Sequence, residues 1–283
     1  MSDLPDAPDS DMESACSDEM QPRSPLTRDK MREGHARWVT EIHEKQEFKI
    51  LVSMVKQPAT LPENAVKHLA ELSLQCKADD GLGDHCYYTA CSFLEVVALT
   101  MPDQQHDLLA FIHQLRATTL TDPVTGEAIL YDGVVWRDLP TFGYTIADEL
   151  GSFSGAEDDC TIEEVQRWEN LIAFFAQLDA STSDPELDFS NTWALTALTW
   201  AFEDPASTRP TDITLRLACL WYIFDADKLW LKTQSRQFDN YSLESWNCWK
   251  QCLVNWQSAF ADPRTRLLID GALAQIKRVE ASA

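Results

Sequence analysis

Beyond about residue 27, apolar side chains recur at three- and four-residue steps for most of the chain. That is the period of helices with one face turned to a core. The spacing predicts a helix over roughly 29–56 through Trp38, Ile42 and Phe48, closed by Pro58. Pro62 stands in the first turn of the next, where its missing N–H does no harm, and Val66, Leu69, Leu72 and Cys76 share its face. Two more helices follow, near 84–100 and 102–117, the second opening at Pro102 and carrying Leu108, Phe111, Ile112 and Leu115.

Between about 118 and 160 the period breaks, because TDPVTGE and GSFSGAEDD collect the residues that favour turns. AILYDGVVW has the pattern of two short strands around Asp132-Gly133, a favoured hairpin pair. The expectation for this stretch as a whole is an irregular connection with a little extended structure. WRDLPTF, residues 136–142, reads as a compact turn whose Trp136 and Phe142 plug into the helices.

In the C-terminal half, caps and periods agree. Thr161 followed by Glu164 forms a capping box ahead of RWENLIAFFAQL, in which Trp168, Leu171, Phe175 and Leu178 share one face, widened by Ile172 and Phe174. Asn170 lies at the edge of that face, in line with Gln166, Phe174 and Gln177, so its amide needs partners, and backbone groups of an adjoining loop are the cheapest. Ser190, Asp212, Ser242 and Asp262-Pro263 are the expected starts of four further helices. Trp246, Trp249, Leu253, Trp256 and Phe260, at steps of three, four, three and four, make a seam for a packed neighbour within the chain. No convincing period of 20–50 residues argues for a repeat array. The expected fold is mainly α, an irregular multi-helix bundle or loosely paired helical stack. It comprises a disordered acidic tail at 1–26 and a single helical domain at 27–283 interrupted near 118–160.

Composition narrows the function classes. The 283 residues carry 46 acids against 23 Lys and Arg, a formal charge of −23 that repels phosphate backbones and anionic lipid, so direct nucleic-acid binding is not expected. The longest apolar run, LACLWYIF at 217–224, is far short of the roughly 20 residues that span a bilayer. MSDLPDAPDSD shows neither a secretory nor an Arg-rich targeting pattern, which leads to a cytoplasmic or nuclear expectation. Eight cysteines in that setting read as reduced, buried thiols, and neither close pair, Cys86 with Cys91 or Cys248 with Cys252, has zinc-ligand spacing. No metal and no cofactor are implied. In the tail, Ser10 and Ser17 precede acids and Ser24 precedes Pro25, contexts that suit acid-directed and proline-directed kinases, although a solvating tail is the simpler reading.

Catalytic patterns are sparse. HExxH, GxSxG, GxGxxG and the phosphate-binding GxxxxGK[ST] do not occur, and the six histidines at 35, 43, 68, 85, 106 and 113 read as solvated helix edges. Asp225 and Asp227 interrupt the otherwise apolar YIFDADKLW, and a polar helix face accounts for them.

The segments WRDLP, RWENLIAFFAQL, WALTALTWAFED, LACLWYIFDADKLW and WNCWKQCLVNWQ come in an order and spacing that resembles a fungal family, domain of unknown function 3632, over roughly residues 80–280. The family pattern has a second asparagine where this chain has Ile172, and an Ala-Arg pair where it has Ala176-Gln177. The resemblance implies a helical, fungal, intracellular protein and carries no activity with it. The leading expectation is a non-enzymatic protein-interaction or regulatory module with an unidentified protein partner and an open oligomeric state. The alternative is a small-molecule binder or enzyme with an aromatic pocket near Trp136, Asp138, Trp168 and Asn170.

Overall fold

A computed structural model describes residues 25–57, 61–122, 124, 126–151, 160–203, 210–235 and 240–282. The acidic tail with Ser10, Ser17 and Ser24, the stop at Pro58 and the turn residues 152–159 lie outside the described residues. Helices make up 77% of the structure, so the mainly α expectation holds. The chain divides into two compact units, Met1–Trp38 and Val39–Ala283. In the first, the described residues belong to α1 (Pro25–Glu44), and Arg32 lies 3.9 Å from Asp29 one turn back.

In the second unit the helix expected over 29–56 is divided at Lys45, whose extended backbone (ψ 149°) separates α1 from α2 (Gln46–Lys56). The break turns Glu47, Phe48, Leu51 and Met54 inward together. α3 (Pro62–Ala78) follows, then α4 (Leu82–Leu99), which is buried without a gap from Thr89 to Ala98. A 3-10 turn at Pro102–Gln104 leads into α5 (His106–Arg116). α4 packs against α2, α3 and the helix over Ile162–Ala180, so it is the centre of the N-terminal half.

Residues 118–151 are more regular than expected. β1 (Thr121–Asp122) pairs antiparallel with β2 (Gly126–Glu127), and β3 (Ile129–Leu130) pairs with β4 (Gly133–Val134). The second hairpin turns on Tyr131-Asp132, one residue earlier than expected. Both central residues have positive φ (50° and 66°), as a type I′ turn requires. A whole helix, α6 (Phe142–Gly151), stands where an irregular connection was expected, and it buries Phe142, Ile146 and Leu150 at four-residue steps.

α7 (Ile162–Ala180) starts on the expected capping box, with Glu164 N–H bonded to the Thr161 hydroxyl and Thr161 N–H to the Glu164 carboxylate. After a 3-10 turn at Pro185–Leu187, one π turn over Ser190–Ala194 runs into α8 (Leu195–Phe202). Ser190 does not cap it: its hydroxyl is bonded to Asp188 and Lys232 instead. α9 (Asp212–Ser235) is capped by the Thr211 hydroxyl, which accepts from Thr214 N–H, not by the expected Asp212, whose carboxylate is held by Thr265. α10 (Leu243–Trp256) and α11 (Pro263–Ala281) start as expected on Ser242 and Asp262.

Cross-links between helices set their directions. Arg216 meets Glu169 and Lys228 meets Asp179, so α9 runs parallel to α7. Arg216 meets Asp262 and Asp227 meets Arg278, so α11 runs parallel to α9 as well. The tryptophan seam is internal except at Trp256, which is half-buried: Trp246 and Trp249 are each 1% exposed, Leu253 is 0% and Phe260 is 3%. The indole N–H groups of Trp246 and Trp249 donate to Glu280 and Glu203 at 2.9 Å, which makes burial of these rings affordable.

Candidate functional site

The strained part of the chain surrounds Trp136. Trp136 (φ 70°) and Leu139 (φ 45°) join Tyr131 and Asp132 in the left-handed region, which side-chain-bearing residues rarely enter. Asp138 holds this loop closed: its carboxylate accepts from Val134 N–H at 2.7 Å, and its own N–H donates to Val134 O at 2.9 Å. The Arg137 guanidinium and then the Val134 bond keep the Asp138 carboxyl below its ordinary range. Strain of this kind persists only where the surroundings over-determine it.

The ring of Trp136 points down onto three helices. Its indole N–H donates to Ser73 Oγ at 3.1 Å; Ser73 Oγ is 3.0 Å from His85 Nε2; and His85 Nδ1 is 2.7 Å from Glu47 Oε1. Ser, His and Glu in this order have the outline of a hydrolase relay. Three features deny it that role. Ser73 is 0% exposed; its hydroxyl proton goes to Leu69 O at 2.6 Å instead of to the imidazole; and it sits inside α3, where backbone N–H groups are spent on the helix and leave no oxyanion donors. The network is a tether between α2, α3, α4 and the 131–139 loop. Burial works against the Glu47 carboxylate, but the His85 bond and its own backbone N–H together hold its pKa below the usual range. His85, 2% exposed, therefore corrects the expectation of solvated histidines.

Asn170 is 2% exposed, and its amide is satisfied as the sequence required. Nδ2 donates to Ala98 O at 2.8 Å, at the end of α4, and Oδ1 accepts from Gln166 at 2.8 Å. Gln105 donates to Asn170 O and accepts from Gln177, so amides fasten α7 to the 3-10 turn. Trp168 stacks on Trp200, centroids 6.3 Å apart, with its indole N–H unpartnered. The four sequence candidates do not converge. Trp136 lines a cavity of about 10 Å³ with Thr89 and Phe93, and none of Asp138, Trp168 and Asn170 borders it. Such a volume holds about one water.

Two further polar features lie elsewhere, one at an acid that the sequence singled out and one that it did not signal. The helix breaks at Asp225 (φ −129°, ψ 21°), and its carboxyl is 1% exposed with neither oxygen bonded. Burial, then the nearby Asp179, push its pKa up to about 9, against the pull of Lys228 and Lys232. Both lysines are already engaged, Lys228 with Asp179 and Lys232 with Asp188, Ser190 and Asn191 at 2.6–2.7 Å. A larger cavity, about 290 Å³, opens beside the starts of α7, α9 and α11, between Ile162, Val165 and Ile213 and the guanidiniums of Arg216 and Arg264. Both arginines bind the Glu169 carboxylate, which is 1% exposed. On the surface, Tyr144 (48% exposed) stacks on Tyr87, Tyr88 lies beside Tyr87, and Tyr131 (71% exposed) reaches from the hairpin turn to Gly83 at the start of α4. Among the described residues no group of three His, Cys, Asp or Glu side chains is placed to hold a metal ion.

Most of the aromatic segments of these helices fall within the stretch that a family model matches. Described as a protein of unknown function (DUF3632), the model matches residues 92–253, more than half of the chain. The chain belongs to the DUF3632 family. No curated protein and no solved structure matches it. The DUF3632 match runs from the middle of α4 to the last turn of α10, so it takes in Trp136, Asn170, Glu169 and Asp225 but not Glu47, Ser73 or His85. Among the described residues no helix of this DUF3632 chain is long and apolar enough to cross a membrane.

Proposed function

We propose that the chain is a non-enzymatic protein-interaction module that works in a reducing, cytoplasmic or nuclear setting. The observation that carries this reading is the tyrosine surface formed by α4, the second hairpin and α6. Tyr87 and Tyr144 stack at 6.3 Å, Tyr88 lies 5.6 Å from Tyr87, and the Tyr131 hydroxyl comes within 3.5 Å of the Cβ position of Gly83. Tyrosines supply large, stiff contact area with a polar tip and are enriched at binding hot spots. By contrast, the polar constellations with catalytic outlines are sealed inside, and the cavity at Trp136 is too small for a metabolite. Burial also pushes the Cys86 and Cys91 thiols up to about 12, which suits inert thiols.

The double variant Tyr131→Ala, Tyr144→Ala removes two exposed rings and leaves the core intact. It is expected to keep the wild-type melting temperature while losing, in native extract, a stoichiometric partner recovered with the full chain. Recovery of the same partner by the variant, or of the bare chain alone with wild type, defeats the reading.

A further inference from the structure

We propose that the cavity beside Arg216 and Arg264 is a binding site for a small oxyanion, a carboxylate or phosphate group on a compact ligand with an apolar side. The site is separate from the tyrosine surface and does not depend on it. Its volume, about 290 Å³, is that of a small-metabolite pocket. Its lining combines the apolar Ile162, Val165 and Ile213 with the guanidiniums of Arg216 and Arg264 and the Glu169 and Asp262 carboxylates that hold them.

The guanidiniums are fixed before any ligand arrives. Arg216 donates through Nε to Thr265 at 2.8 Å, through one terminal nitrogen to Glu169 at 3.2 Å and through the other to Asp262. Arg264 donates to Gln166 at 2.9 Å and to the other oxygen of Glu169. One buried carboxylate thus serves both arginines. A guanidinium has five N–H donors; these bonds use three on Arg216 and two on Arg264, so N–H groups remain on both for an anion in the cavity. Placement by a buried carboxylate removes the ordering cost that a free arginine would bring to binding. Glu169 and Asp262 offset the two side-chain charges, so the site suits one oxyanion group better than a highly charged ligand. The parallel starts of α7, α9 and α11 at this end add positive partial charge that antiparallel helices would cancel.

The test uses the full chain at constant ionic strength, titrated by calorimetry with inorganic phosphate, with succinate and, as controls, with chloride and tetramethylammonium. Saturable binding of phosphate or succinate, and of neither control, is expected, and the stronger of the two arms identifies the group. Arg264→Gln is expected to weaken binding about tenfold and, because it takes one of two partners from the buried Glu169 while Arg216 keeps the other, to lower the melting temperature without unfolding the chain at the titration temperature. Ile162→Trp, at an 85% exposed position on the rim, fills the mouth and is expected to abolish it. Arg266→Gln, on the same helix but outside the cavity, is expected to bind as wild type. The proposal is overturned by an absence of saturable binding in both anion arms, by equal binding of chloride, or by Arg264→Gln binding as tightly as Arg266→Gln.

Discussion

Asp225 shows how much a single side chain can depend on its neighbours. An acid whose folded pKa stands near 9, against an ordinary 3.8, binds a proton in the native state that the unfolded chain has already lost. Stability therefore falls as pH rises from about 4 to about 9, because the unfolded state binds fewer protons across that window. Asp225→Asn removes the titration, so the variant should gain on wild type by roughly 2–4 kcal/mol between pH 4 and pH 8. Urea titrations at the two pH values measure this, and a difference between variant and wild type that does not change with pH would refute it. The sequence did single out Asp225 and Asp227 as one polar interruption. They separate because two residues along a helix is more than half a turn: Asp227 meets Arg278 at the surface, whereas Asp225 is turned into the interior. Ser73, His85 and Glu47 gave no comparable signal, since they lie on three helices and meet only once those helices pack.

At the scale of elements, the local chemistry of helix starts was readable where a side chain had one option. Thr161, Ser242 and Asp262 cap as expected. Ser190 and Asp212 do not, because Lys232 and Thr265 offer their side chains better-placed partners from distant helices. α6 went unread because Gly143 and two threonines mask its Phe142, Ile146, Leu150 period between turn-rich flanks. Close approach of α11 to α9 depends on Gly271, where an added Cβ would lie 3.2 Å from Ile223 Cδ1. Alanine gains helix propensity of about 1 kcal/mol, but forcing this packed contact apart costs about 1–3 kcal/mol. Gly271→Ala should therefore destabilise by about 1 kcal/mol, but should cost nothing in an Ile223→Ala background, where Cδ1 and Cγ1, at 3.2 and 3.3 Å from the added Cβ, are both gone. Additive losses in that double-mutant cycle would show that the two residues do not meet.

The whole molecule carries −23 charges on a body whose buried side chains are mostly neutral, and that excess acts against compactness. Raising salt from about 10 to 150 mM shortens the screening length from ~30 to ~8 Å, and the melting temperature is expected to rise across that range. Exposed ion pairs such as Arg278 with Asp227 weaken in the same experiment, but each contributes only about 0–1 kcal/mol. A melting temperature that falls steadily with salt would mean that pairing outweighs repulsion. Fold class and the internal tryptophan seam were legible because periodicity and burial obey one rule, that wide apolar faces must be covered. The arginine cavity was not, because it exists only where the ends of three helices meet.

Ion pairs on either side of the break in α9, Arg216 to Glu169 and Lys228 to Asp179, bolt it to α7 at two points along the shared direction. A slide of one turn, about 5.4 Å, would shear both bolts together and strand the buried carboxylates. Axial ratcheting between these helices is thereby closed to the molecule, and whatever movement α9 retains must be a bend about Asp225.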